Sequence, residues 1–180
     1  VRWETLEAPV EFYQATKKLH NALHGRRETL TPEMLQRLIE ANRHNLSRLN
    51  LDADIVFVHD PQPIALVEAR RQVGGRWVWR CHIDLTYAQP DAWEFVRRYV
   101  QQYDAAVYSA PAFARPLSLR QILIAPSIDP LSDKNKELSP EEISRTLQRL
   151  GIPQDRPIVT QVSRFDYLKD PVGVVDTFRL

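Results

Sequence analysis

Apolar residues fall at helical spacing over the first fifty positions and in short uninterrupted runs after them. Phe12, Ala15, Leu19 and Leu23 recur every three or four residues and Gly25 follows, which predicts a helix over 11–24. Thr31-Pro32-Glu33 reads as a helix start, with Thr as cap, Pro at the first helical position and an acid in the first turn. Met34, Leu38, Ala41, Leu46 and Leu49 carry the apolar stripe onward. From Asp54 the pattern changes. Residues 54–59, 77–82, 105–109 and 121–125 are short apolar runs of the kind buried strands show. Residues 65–71 and 92–102 read as helices between them, the second with Trp93, Val96 and Val100 on one face. Strands alternating with helices predict an α/β fold with a parallel sheet.

Residues 126–138 form a polar connector containing Pro126 and Pro130. After it, Ser139-Pro140-Glu141-Glu142 is a capping-box start, Ile143, Leu147 and Leu150 give an apolar face, and Gly151 is the stop. Residues 157–162 read as one more strand, and Asp170-Pro171 opens a last helix that runs to Leu180 with no stop signal. Two domains are expected, 1–126 and 127–180. The first residue is Val1 and the last helix is open-ended, so the chain reads as an internal piece of a longer protein.

Composition narrows the function classes. The formal net charge is +1, so no basic field argues for nucleic acid or an anionic membrane. No apolar run reaches the roughly 18 residues of a membrane span. Cys81 is the single cysteine, which excludes a disulfide framework or a thiolate zinc site and fits a reducing cytoplasm. There are five glycines and no glycine-rich phosphate loop or nucleophile elbow.

Two expected strands end in the same chemistry: His59-Asp60 and His82-Ile83-Asp84. Ligands of open parallel sheets sit beyond the carboxyl ends of strands, so four polar side chains would line one crevice. The competing readings are turn caps at Asp60 and Asp84 and a divalent metal site, against which His59 and Asp60, being adjacent on a strand, point apart. A second constellation is Arg164 with Lys169, five residues apart in a loop before a helix. A guanidinium fork and a mobile ammonium there can converge on a phosphate, helped by the helix N-terminus. The plain alternative is two solvated charges. Trp77, Trp79, Trp93 and Cys81 read as packing residues, and Arg26-Arg27 and Arg70-Arg71 as solvated faces.

Residues 162–170, Val-Ser-Arg-Phe-Asp-Tyr-Leu-Lys-Asp, resemble the Arg-x4-Lys signature of family-four retaining glycosyltransferases, which have the GT-B fold of two Rossmann-like domains. Residues 126–135, 57–63 and 77–84 are similar to segments of the trehalose synthase subgroup. The resemblance implies that 1–126 is the later part of an N-terminal, acceptor-side Rossmann-like domain. Residues 127–180 are then the connector and beginning of a C-terminal nucleotide-sugar-binding domain. It implies glucosyl transfer from UDP-, ADP- or GDP-glucose to glucose, giving trehalose with retention. A sugar phosphate as acceptor, or a sugar-binding module without turnover, is the alternative. Implied roles are His82 and Asp84 at the transferred glucose, Arg164 and Lys169 on the donor diphosphate, and His59 and Asp60 on the acceptor side. No cofactor or metal is implied, and association into a homodimer is compatible. The family's N-terminal glycine-rich loop and its Glu-x7-Glu motif do not occur in these 180 residues, so the isolated segment is expected to be inactive.

Overall fold

The computed structural model describes residues 1–179; the expected open end of the last helix at Leu180 lies outside the described residues. The chain divides into two compact units, Val1–Ser127 and Ile128–Leu180.

The first unit opens with α1 (Val10–Leu23) and α2 (Pro32–Leu46). Thr31 caps α2 by accepting from the Met34 backbone N–H at 3.3 Å. A four-stranded sheet follows, built of β1 (Ile55–His59), β2 (Arg76–Arg80), β3 (Ala105–Tyr108) and β4 (Arg120–Leu123). All neighbours are parallel and the strands lie in chain order, the Rossmann-like α/β arrangement expected. A 3-10 helix over Ile64–Ala69 runs into the short α3 (Arg70–Val73) between β1 and β2, where a single α-helix was expected. α4 (Pro90–Val100) connects β2 to β3. Gly75 takes φ +73°, and a Cβ there would meet the Ala53 carbonyl oxygen at 2.4 Å, so only glycine lets the chain turn into β2 beside the start of β1.

Residues paired in register on parallel strands share a face. Val58, Trp79 and Ala106 form one row, and with Trp77 and Tyr108 they join Leu19, Leu23, Leu38 and Val96 in a closed core under α1, α2 and α4. Burying a side chain such as Leu19 or Leu38 contributes about 1.5–3 kcal/mol. His59, Arg80, Val107 and Ile122 form the corresponding row on the opposite face. That face is more open: Ile55 and Phe57 of the edge strand β1 are exposed.

The buried face of α2 is rotated from the expected stripe. Leu38 and Ile39 are buried together with Asn42 and Asn45, while Met34 and Ala41 are half-exposed. Both amides are satisfied, which is what makes them tolerable inside. Asn42 Nδ2 donates to the Leu38 and Gln62 carbonyls, each at 2.8 Å, and its Oδ1 accepts from the Ala65 N–H at 3.1 Å. Asn42 thus pins the turn after β1 to α2. Arg70 is not a solvated charge either: it pairs with Asp104, whose other carboxylate oxygen accepts from the Trp77 N–H at 2.8 Å.

The second unit holds α5 (Pro140–Arg149), closed at its start by the expected capping box of Ser139 and Glu142, and α6 (Pro171–Phe178). The strand expected over 157–162 is absent; those residues are irregular, and no described residue of this unit is in a strand or fully buried. A strand needs a neighbour to satisfy its backbone, and none lies within the unit. Among the described residues no helix is long and apolar enough to cross a membrane.

Candidate active site

The carboxyl ends of β1 and β2 meet at a left-handed corner. Asp60 takes φ +64°, a region open to aspartate but unusual for other side chains. Three hydrogen bonds hold it there. Its N–H donates to the Arg80 carbonyl at 2.8 Å, its carbonyl accepts from Trp79 Nε1 at 3.0 Å, and its Oδ1 accepts from the His82 N–H at 2.8 Å. The Asp60 carboxylate therefore ties one strand end to the next. The result of that tie is a histidine pair. His59 Nδ1 lies 2.9 Å from His82 Nε2, and the rings are nearly parallel, 11° apart with centroids at 5.2 Å. One ring must present a lone pair to the other, so the pair cannot carry two ring protons at that contact.

Asp84 is two residues farther and half-buried; its Oδ1 accepts from the Thr86 N–H at 2.8 Å, closing its own turn. Arg164 and Lys169 lie in the second unit. The Arg164 side chain is 81% exposed and reaches Asp166 at 3.4 Å. Lys169 is exposed and ends a 3-10 turn over Tyr167–Lys169. The N-terminus of α6 is partly engaged already: Asp170 accepts from the Gly173 N–H at 3.1 Å. His59, Asp60 and His82 thus come together, with Asp84 following on the same chain segment and Arg164 and Lys169 on the other unit.

One residue beside the histidine pair carries no motif. Arg80 stands in register with His59, is 7% exposed, and donates from Nη2 to Ser109 Oγ at 3.1 Å. Its Nη1 is buried without a hydrogen-bond partner among the described residues. Cys81 next to it points into the core, where burial pushes its thiol up to about 12, so it is no nucleophile. A cavity of about 1130 Å³ runs along the free edge of β1, lined by Trp3, Tyr13, Leu51 and Phe57 among others; of the site residues it includes His59 alone. Among the described residues no three His, Cys, Asp or Glu side chains are grouped to hold a metal ion.

Burial holds the His59 imidazole below its ordinary value of 6.5; the adjacent His82 and then Arg80 act in the same direction, and Asp60 opposes them. His24 at the end of α1 is also lowered, by burial and by His20, against Asp84 and Asp60. A lowered folded pKa means the unfolded chain takes up the proton first. The stabilisation is complete above 6.5 and is lost as pH falls from there through the folded values. Melting temperature should therefore fall between pH 7.5 and 5.5, and His59→Gln and His24→Gln should each flatten that fall. Parallel pH profiles for wild type and both variants would contradict it.

Residues 1–115 match the family described as "Trehalose synthase, N-terminal domain". The chain belongs to the trehalose synthase family. It is 43% identical over 182 residues to the trehalose synthase of Pyrococcus horikoshii, covering 99% of this chain and 44% of that protein. It is 42% identical over 185 residues to that of Thermococcus litoralis, with 99% and 44% covered. It is 39% identical over 187 residues to that of Rubrobacter xylanophilus, with 100% and 45% covered. The chain thus spans less than half the length of these family members, and the family's N-terminal-domain match ends within the first compact unit.

Proposed function

We propose that the full-length protein is a retaining glycosyltransferase that moves glucose from a nucleoside diphosphate glucose to glucose, forming trehalose. The observation that carries this reading is similarity to proteins named trehalose synthase along 99% of the chain. The meeting of His59, Asp60 and His82 at the carboxyl ends of parallel strands agrees with it, because that is where such a sheet receives ligands. In this reading the acceptor hydroxyl attacks C1 of the donor glucose on the face the diphosphate leaves. The C1–O bond to the diphosphate breaks, and the hydroxyl proton passes to the departing phosphate oxygen. His82 and Asp84 orient the two sugars, and His59 shapes the acceptor side. Asp60 shapes that side with His59 while its Oδ1 holds the corner on the His82 N–H. Arg164 and Lys169 neutralise the charge on the diphosphate, the place a metal would otherwise take.

The test uses the full-length protein with UDP-, ADP- and GDP-glucose, with and without glucose, following nucleotide release and disaccharide. Expected is glucose-dependent release from at least one donor with trehalose as product, undiminished by a metal chelator. No release from any donor, or release without disaccharide, rejects the reading.

A further inference from the structure

We propose that His59 is a positioning residue: its Nδ1, hydrogen-bonded to Nε2 of His82, holds that imidazole in one tautomer and one orientation at the carboxyl ends of β1 and β2. What His82 does to a sugar rests on the transferase reading above; the contact itself does not. His59 Nδ1 and His82 Nε2 are 2.9 Å apart, the ring centroids are 5.2 Å apart, and the ring planes differ by 11°. The centroid separation is the nitrogen contact plus one ring radius on each side, so both nitrogens lie close to the line of centres. The rings therefore meet edge to edge in nearly one plane. A ring-nitrogen lone pair points outward in that plane, so the lone pair of one nitrogen is aimed at the N–H of the other. Distance and direction are those of a full hydrogen bond. A neutral imidazole carries its proton on one nitrogen only, so fixing the role of one nitrogen fixes the other. If His59 donates, His82 Nδ1 carries the proton and donates outward; if His82 donates, its Nδ1 is bare and accepts.

The surroundings say which ring supports and which is presented. His59 is half-buried and His82 is exposed. The His59 ring is flanked by Phe57, two residues earlier on the same face of β1, at 5.3 Å, and by Trp3 at 5.8 Å. The His82 backbone is held by Asp60 Oδ1, which accepts from its N–H at 2.8 Å. Each imidazole is thus anchored at its own end, and the two meet in the middle. The charged and titratable groups acting on His59 are His82, Asp60 and Arg80. Burial first, then His82, weakens its hold on a second proton; Asp60 opposes this and Arg80 adds to it. His59 therefore stays neutral near pH 7, with one N–H and one lone pair for its partner. A hexose hydroxyl both donates and accepts, so it can meet either tautomer of His82 but in different orientations. A single tautomer selects one of them.

The experiment uses the full-length protein with His59→Leu and His59→Asn. Leucine keeps an apolar body for Phe57 and Trp3 but has no hydrogen-bonding atom. Asparagine loses the ring but carries its amide the same number of bonds from the backbone as Nδ1. A role in packing alone ranks leucine above asparagine; positioning ranks them the other way. Expected is a fall in kcat/KM of about tenfold for His59→Leu, the rate equivalent of one hydrogen bond, and of about threefold for His59→Asn. His59→Leu should nevertheless melt at least as high as His59→Asn. The tautomer is read directly by nitrogen NMR of histidine-labelled protein above neutral pH, with His82 assigned by the signals lost in His82→Gln. Wild type should show one protonated and one bare His82 nitrogen, and His59→Leu should draw the two resonances together. Averaged His82 nitrogens in wild type overturn the proposal whatever the variants do, as does a folded His59→Leu protein with unchanged resonances or with more activity than His59→Asn. The resonances need no turnover, so a fixed tautomer in a protein that transfers nothing would reject the transferase reading alone.

Discussion

Trp79→Ala should destabilise the first unit by about 3–5 kcal/mol, the range for removing a fully buried aromatic from a core. Trp79 has no exposed surface, stands on the inner strand β2, and meets the edge of the Tyr108 ring at 6.1 Å and 88°. The void would open at the centre of the sheet, where β1 and β3 are both paired and cannot collapse inward. The same residue reaches the candidate site, because its Nε1 donates to the Asp60 carbonyl at 3.0 Å. Trp79→Phe separates the two roles. It keeps most of the packing and loses that hydrogen bond, at about 1 kcal/mol, so its melting should move little while turnover falls as the corner loosens. Thermal melts and initial rates of both variants decide the matter. A Trp79→Ala protein that melts like wild type would mean the core does not close on this ring.

Local signals were readable wherever a few adjacent residues settle the structure. Thr31 before Pro32 and Ser139 with Glu142 cap their helices within one turn, so the caps were legible before any tertiary contact was known. The sheet was legible because its strands are short, largely apolar runs, although only β3 is buried throughout. What escaped depends on partners far along the chain. The strand expected over 157–162 has strand-like composition, but composition does not supply a neighbouring strand. Nothing in the local pattern places Asn42 and Asn45 inside, since their acceptors at Gln62 and Glu7 lie 20 and 38 positions away. In the candidate site, the placing of His59 and His82 at one end of the sheet was expected from parallel strands, but their ring-to-ring contact was not. Neither was the left-handed turn of Asp60, nor the use of its carboxylate on the His82 backbone, because strand-end geometry emerges only after register is set. The burial of Arg80 escaped for the same reason: a charged residue ending an apolar strand gives no sign of whether it faces solvent or the interior.

Arg164→Ala should lower turnover of the full-length protein by about 10²–10³-fold, the loss seen when one preorganised donor is taken from a developing anion. Its side chain is 81% exposed and its contact with Asp166, at 3.4 Å, is an exposed pair worth little, so removing it should leave melting essentially unchanged. That combination, a large rate effect on an unaltered fold, separates a diphosphate-binding arginine from a surface charge. Arg164→Lys should recover only part of the rate, since an ammonium keeps the charge but not the planar fork that spans two phosphate oxygens. Lys169→Ala should act on the same step, and the double variant should lose less than the product of the single losses if both groups serve one diphosphate. The acceptor supplies the control. Acceptor KM should be unmoved in Arg164→Ala if that arginine serves the donor diphosphate alone. If Arg164→Ala retained wild-type turnover, the resemblance of residues 162–170 to a diphosphate-binding signature would be one of sequence without its chemistry. The donor would then have to be held by other groups of the full-length protein.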